Sequence, residues 1–406
     1  FQAEDGIRDC LLSRGLGDVY KRQKQLMVRY RSISDSTRFL TALGPMNVLR
    51  LTTHCLDEGS DMFSGNVPYV ASRAKARRQA LMDKARLRQL INQSPDQLTN
   101  TVAESGYQNE INLYASRYTG GDLVEAALTH NLENELDNML SHCRGKVRKI
   151  VEIYSSRYEY QNAKAVLRAV ANDIEAEKLS KDILPDLNEI NTPWIKILES
   201  SDDLRSAAQQ MRRKSFGSAL TNLPEDARLA HYEDALDRHY FSASLKALGH
   251  SGNDSRYLRK VLATEIDHRN ILNVLEASAF GIEGNDLYEE LIPGGRLMPH
   301  RALSSIANGG RSAMMDVLRS NPKFDIAGFE EALGTAEKER SLDAVVTWLH
   351  AREYAQMQKM SYLHPVSALP IVYYIAMKVK EVTDLRMIVR GRFAGLPPEI
   401  LEAHIL

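Results

Sequence analysis

The chain has 406 residues, of which 43% are hydrophobic and 26% are charged, and its formal net charge is −1. This composition is typical of a soluble globular protein with room for about two or three domains. The neutral charge balance gives no basic bias of the kind that indicates nucleic acid as the main partner. Three cysteines are too few for a disulfide framework, so a reducing compartment is expected.

The longest mostly apolar stretch covers residues 366–379, and it includes Ser367 and Pro370. A membrane-spanning helix needs about 20 apolar residues, and this stretch is shorter. We therefore expect that the chain does not cross a bilayer, although it can lie beside one.

The first 61 residues differ in sequence pattern from the rest of the chain. Residues 1–23 resemble translated sequencing-adapter sequence and lack the continuous apolar core of a signal peptide. Residues 24–61 show no sustained helical period, whereas Met62 opens a stretch that runs directly into a helical pattern. We expect residues 1–61 to be non-native adapter or upstream read-through and to be disordered, with the native start near Met62.

Residues 70–91 are predicted to form one helix, because they contain no Gly or Pro and are rich in good helix formers. One face of this helix is basic and carries Arg73, Arg77, Arg78, Lys84, Arg86 and Arg88. Such a face can bind phosphate or an acidic protein, or it can be an ordinary solvated face. The absence of interleaved aromatic residues argues against nucleic-acid binding.

A short helix is predicted to start at Ser94-Pro95-Asp96, with Ser94 as the N-cap and Pro95 at the first helical position, and to end near Gly106. A matching pattern covers residues 198–217, and its Leu198 follows Leu90 by 108 residues. A third, looser copy is predicted from Leu303, with Asn308-Gly309-Gly310 as its turn. Long helices carrying a Leu-Asp pair are predicted around residues 132–137, 232–237 and 339–343.

One helical phrase occurs three times and organises the chain, at residues 159–168, 267–276 and 381–390. Each copy begins with an acid and has Asn or Asp three residues later, followed by apolar residues at the spacing of one helix face. The acids are Glu159, Asp267 and Glu381, the residues that follow are Asn162, Asn270 and Asp384, and the apolar sets are Ala163/Val166/Leu167, Ile271/Val274/Leu275 and Leu385/Ile388/Val389. Arg168 and Arg390 end two copies, whereas Glu276 ends the middle one.

The repeated acids have two interpretations. They can converge as a three-carboxylate site near a pseudo-threefold axis. Alternatively, each acid lies near a helix start, where the helix dipole favours it, and the Asn or Asp bonds across to a neighbouring helix. Repetition at equivalent positions favours the second interpretation, because catalysis normally needs different groups that meet at one point.

Nucleotide and metal motifs are missing from the sequence. It contains no G-x-x-x-x-G-K-[ST] phosphate loop and no G-x-G-x-x-G turn. The nearest approach to a metal pair is His142-Cys143, and nothing nearby completes a zinc site. No cofactor, metal or nucleotide is therefore expected, while a helical enzyme with a dispersed site stays an alternative.

The repeats predict an all-α fold of three similar units, at residues 62–184, 185–284 and 285–406. Each unit is predicted to contain a turn with a short helix, a long helix, and a closing helix that carries the phrase. Three such units can close into a pseudo-threefold body or stack into an open array. The number three and the unequal steps of 108 and 114 residues between copies favour the closed form.

Several phrases together carry a family resemblance. They are Pro68-Tyr69-Val70-x-x-Arg73-x-Lys75-x-Arg77-Arg78, Tyr107-Gln108-x-Glu110-Ile111, Glu265-Ile266-Asp267-x-x-Asn270-Ile271, Ile292-Pro293-Gly294-Gly295 and Arg390-Gly391-Arg392-x-x-Gly395-Leu396-Pro397. From Pro68 to the C-terminus the chain resembles the C subunits of archaeal A-type ATP synthases, which are relatives of the d subunits of eukaryotic V-type ATPases. Glu276 departs from the Arg at the equivalent positions and puts a strict threefold ionic ring in doubt.

The resemblance implies an all-helical funnel on the cytoplasmic face of the membrane rotor ring, peripheral to the membrane, with the central shaft in its mouth. Such a protein binds no nucleotide, is not an enzyme, and transmits torque between ion flow and ATP synthesis or hydrolysis. Contacts with ring or shaft subunits are expected at Arg73, Arg77, Arg78, Gly294, Gly295, Gly309 and Gly310. The alternative is an independent helical-repeat scaffold for another protein partner.

Overall fold

The computed structural model describes residues 66–176, 192–250 and 252–402, together with Leu179. Within these residues the chain forms helices and no strand, which confirms the predicted all-α class. The predictions made for residues 1–61 lie outside the described residues.

The helices follow one another with short connections. The first are α1 (Val67–Gln79), α2 (Lys84–Ile91), α3 (Pro95–Val102), α4 (Gln108–Tyr114), α5 (Gly120–His142), α6 (Gly145–Ser155) and α7 (Arg157–Ala171). A single π-helical turn, Ala103–Tyr107, joins α3 to α4. Next come α8 (Thr192–Glu199), α9 (Leu204–Gln210), α10 (Gly217–Thr221), α11 (Leu229–Leu248) and α12 (Asn253–Phe280). The last are α13 (Asn285–Glu290), α14 (His300–Arg319), α15 (Ile326–Glu339), α16 (Asp343–Leu363), α17 (Leu369–Phe393) and α18 (Pro398–Glu402).

The predicted start of α3 is confirmed. The Ser94 hydroxyl accepts a hydrogen bond from the Gln97 backbone N–H at 3.4 Å, and the Gln97 side chain accepts one from the Ser94 backbone N–H. Pro95 occupies the first helical position, where its missing N–H costs nothing. Gly106, with φ +104°, then turns the chain into α4.

The predicted single helix over residues 70–91 is wrong, because the chain breaks between α1 and α2. Asp83 caps α2 by accepting a hydrogen bond from the Arg86 backbone N–H at 2.8 Å. The backbone N–H of Met82 donates to Oε1 of Glu381 at 2.7 Å. A side chain almost 300 positions away therefore replaces the helical hydrogen bond at the break.

Of two further predictions about local structure, one agrees with the structure and one is wrong. The break predicted at Asn308-Gly309-Gly310 is present within α14: Gly310 has non-helical angles, φ 53° and ψ −140°, and two helical segments meet there at a kink. Residues 339–343 do not lie within a long helix but join α15 to α16, with Arg340 in the left-handed region at φ 53°.

The apolar sets of the phrase are buried in all three copies, as predicted. Ala163, Val166, Leu167, Ile271, Val274, Leu275, Leu385, Ile388 and Val389 all lie in the core. A smaller apolar cluster, within residues 271–349, packs the second half of α12 on α13–α16. The larger cluster joins the helices from α1 to the first half of α12 with α17.

Each phrase helix packs on a long helix that belongs to the next repeat. Helix α7 packs on α11, α12 packs on α16, and α17 returns to pack on α5 and α1. The last phrase helix, α17, therefore contacts helices from the start of the described chain. The boundaries after residues 184 and 284 stay a prediction, and the phrase helices pack across them.

Candidate functional site

Polar and charged contacts between the phrase helices and their neighbours form the candidate site. Glu159 lies in the first turn of α7 and accepts a hydrogen bond from Lys214 Nζ at 3.0 Å. Asp267 and Glu381 instead lie in the middle of α12 and α17, so the predicted helix-start position is wrong for both. Each of the three acids binds its own separate partners.

Asp267 holds a loop on the side of α12. Its Oδ2 accepts hydrogen bonds from the backbone N–H groups of Arg296 and Leu297, both at 2.8 Å, and its Oδ1 accepts one from Met298 at 3.0 Å. Burial raises the pKa of the Asp267 carboxyl, and the three N–H donors pull it back. Asp267 is therefore a buried anchor for residues 296–298.

Asn270 anchors the start of the same loop. Its amide donates to the Ile292 carbonyl at 2.8 Å, and its Oδ1 accepts from the Ile292 N–H at 2.8 Å. The prediction that this residue bonds to a neighbouring helix is thus wrong, because its partner is a loop. In the other copies, Asn162 is buried in α7, and Asp384 accepts from Lys380 of its own helix at 2.5 Å.

The two glycines of this loop lie against α11 and α12. Gly294 has φ +118°, and a Cβ there would lie 2.7 Å from Leu245 Cδ1. A Cβ on Gly295 would collide with the Asp267 carboxylate. The loop needs glycine at both positions for internal packing, and its predicted contact with another subunit stays a prediction.

Glu381 belongs to a buried polar network. Its Oε2 accepts from the Tyr107 hydroxyl and from Lys378 Nζ, each at 2.8 Å. Lys378 Nζ also donates to the Tyr107 hydroxyl at 2.8 Å. Burial, reinforced by Glu381, raises the pKa of Tyr107 well above its usual value, so the phenol stays protonated and keeps donating.

Two bidentate ion pairs link the phrase helices to their long-helix partners. Arg168 donates to both oxygens of Glu233 at 2.5 and 2.8 Å. Arg390 donates to both oxygens of Glu125 at 2.9 and 2.6 Å. Such forked pairs fix direction as well as distance between helices.

A second pair of contacts, one helical turn before the arginines on α7 and α17, keeps the same alignment of these helices with α11 and α5. Lys164 of α7 pairs with Asp237 at 2.5 Å, and Arg386 of α17 donates to the Thr129 hydroxyl. A step of 108 residues separates Glu125 from Glu233 and Thr129 from Asp237. The predicted equivalence of residues 132–137 with 232–237 is therefore out of register with the structure, and sequence reasoning missed Glu125.

The middle copy replaces the arginine with an acidic cluster. Glu276 lies near Arg269 and three further acids, Asp234, Glu290 and Glu233, and burial raises its pKa well above the usual value. Burial also raises the pKa of Asp234 to about 6 and that of Glu290 to about 7. Arg269 is itself paired with Asp237. The ionic pattern of the other two copies is thus interrupted at Glu276.

Sequence reasoning also missed a contact between two phrase helices. Arg157 donates to both oxygens of Glu265, at 3.3 and 3.0 Å, and to the Tyr240 hydroxyl at 2.9 Å. Its guanidinium lies 3.8 Å from the ring centroid of Tyr154. Arg157 and Glu265 each stand two residues before the acid of their copy, so equivalent positions meet directly.

The predicted basic face of α1 contacts the chain itself. Arg73 donates to Asn138 Oδ1 at 3.2 Å, and Arg77 pairs with Glu135, both on α5. The guanidinium of Arg78 lies 5.0 Å from the ring centroid of Tyr373. These three arginines join helices, and their role as a partner surface stays a prediction. The same holds for Gly309 and for Gly310, which is buried at the kink of α14.

The described part of the chain carries neither a cluster of metal ligands nor a membrane-spanning helix. There, no group of three or more His, Cys, Asp or Glu side chains could hold a metal ion. Among the helices of that part, none is long and apolar enough to span a bilayer.

Sequence comparison gives a consistent set of relatives. The model of the family described as ATP synthase (C/AC39) subunit matches residues 70–404. The C subunit of the A-type ATP synthase of Haloquadratum walsbyi is 30% identical over 353 residues, which cover 84% of this chain and 99% of that protein. The C subunit from Haloferax volcanii is 29% identical over 84% of this chain and 97% of its own length. The C subunit from Methanosarcina barkeri is 25% identical over 84% of this chain and 93% of its own length.

Proposed function

The chain belongs to the ATP synthase (C/AC39) subunit family, and from that premise we propose that it is the non-catalytic central-stalk subunit of a rotary A-type ATP synthase. In this role it connects the central shaft to the membrane rotor ring. It transmits torque for ion-driven ATP synthesis or for ATP-driven ion pumping. It lies at the cytoplasmic face of the cell membrane and is held there by protein contacts.

The observation that carries this proposal is the extent of the family match. It spans residues 70–404, which include nearly all the described helices. The relatives named as C subunits of A-type ATP synthases match over almost their whole length, so the likeness is not limited to one shared motif.

The helix packing agrees with three units closed around an axis. In such a body, equivalent residues of different units meet near the axis, as Arg157 and Glu265 do. The last unit must also contact the first, as α17 does through α5. We propose on this basis a funnel-like, pseudo-threefold arrangement.

The ion pairs suit a part that transmits force. Torque shears neighbouring helices past one another, and the hydrophobic effect, being non-directional, does not by itself fix one register between them. A bidentate pair such as Arg168 with Glu233 loses both hydrogen bonds when the helices shift. The two interfaces that carry such a pair, α7 with α11 and α17 with α5, are therefore held in register by directional bonds as well as by apolar packing.

The test is a pull-down of the tagged chain from native membranes. We expect ring and shaft subunits to co-purify with it, and the purified chain alone to show no ATP hydrolysis. Absence of both sets of subunits from the eluate would refute the rotor role. Capture of an unrelated partner instead would support the helical-repeat scaffold.

A further inference from the structure

An exposed apolar tip lies where α16 passes into α17. Tyr362, Leu363 and Val366 are 59%, 63% and 67% exposed. Single apolar residues scattered on a surface are ordinary, but three within five residues of the chain form an apolar patch of the kind that marks an interaction site. We name these three residues the apolar tip.

The tip is held in place by three separate contacts of its loop. The His364 ring stacks on Tyr257 with 3.8 Å between centroids. The backbone N–H of Ala368 donates to Asp254 Oδ1 at 3.0 Å. Lys75 Nζ donates to the Pro365 carbonyl at 3.1 Å. The apolar side chains are thus exposed by a fixed loop.

Positive side chains from three helices surround the tip. Lys75 and Arg78 of α1 contact the Pro365 carbonyl and the Tyr362 hydroxyl, at 3.1 and 3.4 Å. Arg256 of α12 precedes Tyr257, which stacks on His364, and Lys359 lies three residues before Tyr362 on α16. Asp254, the acid in contact with this loop, is engaged by the Ala368 N–H. Cations therefore outnumber acids among the charged side chains that contact the tip and its loop.

This combination fits a bilayer better than a protein. A stable protein interface buries about 800 Å² on each partner, far more than three side chains supply. Apolar side chains flanked by cations are the usual arrangement of a peripheral membrane contact. Neither a few inserted apolar groups nor a few cations alone bind a membrane firmly. Tyrosine also favours the headgroup level, where its ring and hydroxyl are both satisfied.

We propose that the apolar tip docks on an anionic lipid surface, with Tyr362, Leu363 and Val366 entering the headgroup region and the surrounding cations binding lipid phosphates. The inference rests on the chain's own surface and not on the proposed function, although it agrees with a place beside a membrane. The two fail separately, because lipid vesicles contain neither ring nor shaft subunits.

The experiment is co-sedimentation of the full chain with vesicles of phosphatidylglycerol and phosphatidylcholine, compared with vesicles of phosphatidylcholine alone. We expect binding to the anionic vesicles that weakens as salt is raised. The double variant Leu363→Ser/Val366→Ser should lose most of it. The variant Lys75→Gln/Lys359→Gln should bind more weakly by roughly fivefold for each charge removed.

The controls are matched substitutions away from the tip. Leu113→Ser removes an apolar residue that is 50% exposed on α4, and Lys338→Gln removes an exposed cation on α15. Both should sediment like the unchanged chain, and circular dichroism checks that every variant is folded. The proposal is overturned if the folded chain ignores anionic vesicles at low salt, or if the control variants lose as much binding as the tip variants.

Discussion

Arg390 and Glu125 stand 265 positions apart in the chain, yet the guanidinium of Arg390 donates to both carboxylate oxygens of Glu125. Arg168 and Glu233 make the same pair between α7 and α11. The last phrase helix, α17, is therefore bound to the N-terminal helix α5 in the same way as the first phrase helix, α7, is bound to α11. The two ends of the chain thus stabilise each other.

Breaking this pair on one side should destabilise the whole protein. Arg390→Ala removes two hydrogen bonds and a positive charge from the buried Glu125 carboxylate, and we expect a loss of about 3 kcal/mol in the free energy of unfolding, measured with urea. Arg168→Ala should cost a similar amount. Arg390→Met combined with Glu125→Leu should cost less than either single change, because no buried charge is left unpaired.

An exposed ion pair serves as the control for this prediction. Arg88 and Glu402 pair at 3.1 Å with half of each side chain in solvent. Arg88→Ala should change the free energy of unfolding by less than about 1 kcal/mol. An Arg390→Ala protein as stable as the Arg88→Ala protein would show that the closing contact contributes nothing.

The sequence predicted which faces of the phrase helices are buried but not what they pack against. The apolar period of residues 271–275 is local and sufficient to show a buried face. The partner of Arg390 is not local, and nothing around Glu125 distinguishes it from a solvent-facing glutamate. Its role becomes visible only when the register of the paired helices is known.

The break between α1 and α2 is a second feature that the local sequence did not predict. Residues 70–91 contain no Gly or Pro, yet the helix is interrupted where Asp83 caps α2 and the distant Glu381 bonds the Met82 N–H. Tertiary contacts of this kind override propensity. Ser94 was predicted correctly because its partner, Gln97, lies three residues away.

The network around Glu381 should be sensitive to removal of one member. Glu381→Ala leaves Lys378 as a buried ammonium and takes the acceptor from the Tyr107 hydroxyl, so we expect a loss of about 4 kcal/mol in stability. Replacing both charges, as Lys378→Met/Glu381→Leu, should recover part of that loss. Thermal unfolding followed by circular dichroism measures both. Glu399→Ala, at an exposed acid of α18, is the control and should stay within about 1 kcal/mol of the unchanged chain.

Two glycines should respond in opposite ways to alanine. At Gly295 a Cβ would collide with the Asp267 carboxylate that holds residues 296–298, so Gly295→Ala should destabilise the protein by about 2 kcal/mol. At Gly334, inside α15, a Cβ meets nothing within 4 Å, so Gly334→Ala should stabilise by about 0.5–1 kcal/mol. Equal melting temperatures for the two variants would contradict the described packing of the loop on α12.

The acidic cluster at the middle copy should make stability depend on pH near neutrality. Burial, reinforced by Asp234, raises the pKa of Glu290 from 4.5 to about 7 in the folded protein. Between these values the folded chain keeps a proton that the unfolded chain gives up, so stability falls as pH rises through this window and levels off above it. Near pH 4.5, Glu290→Gln should therefore leave the free energy of unfolding unchanged. Above about pH 7 it should increase the free energy of unfolding by about 2 kcal/mol. Urea unfolding across the window measures the difference, with the exposed neighbour Glu289→Gln as control. A constant difference between Glu290→Gln and the unchanged chain would mean that Glu290 titrates as an ordinary surface acid.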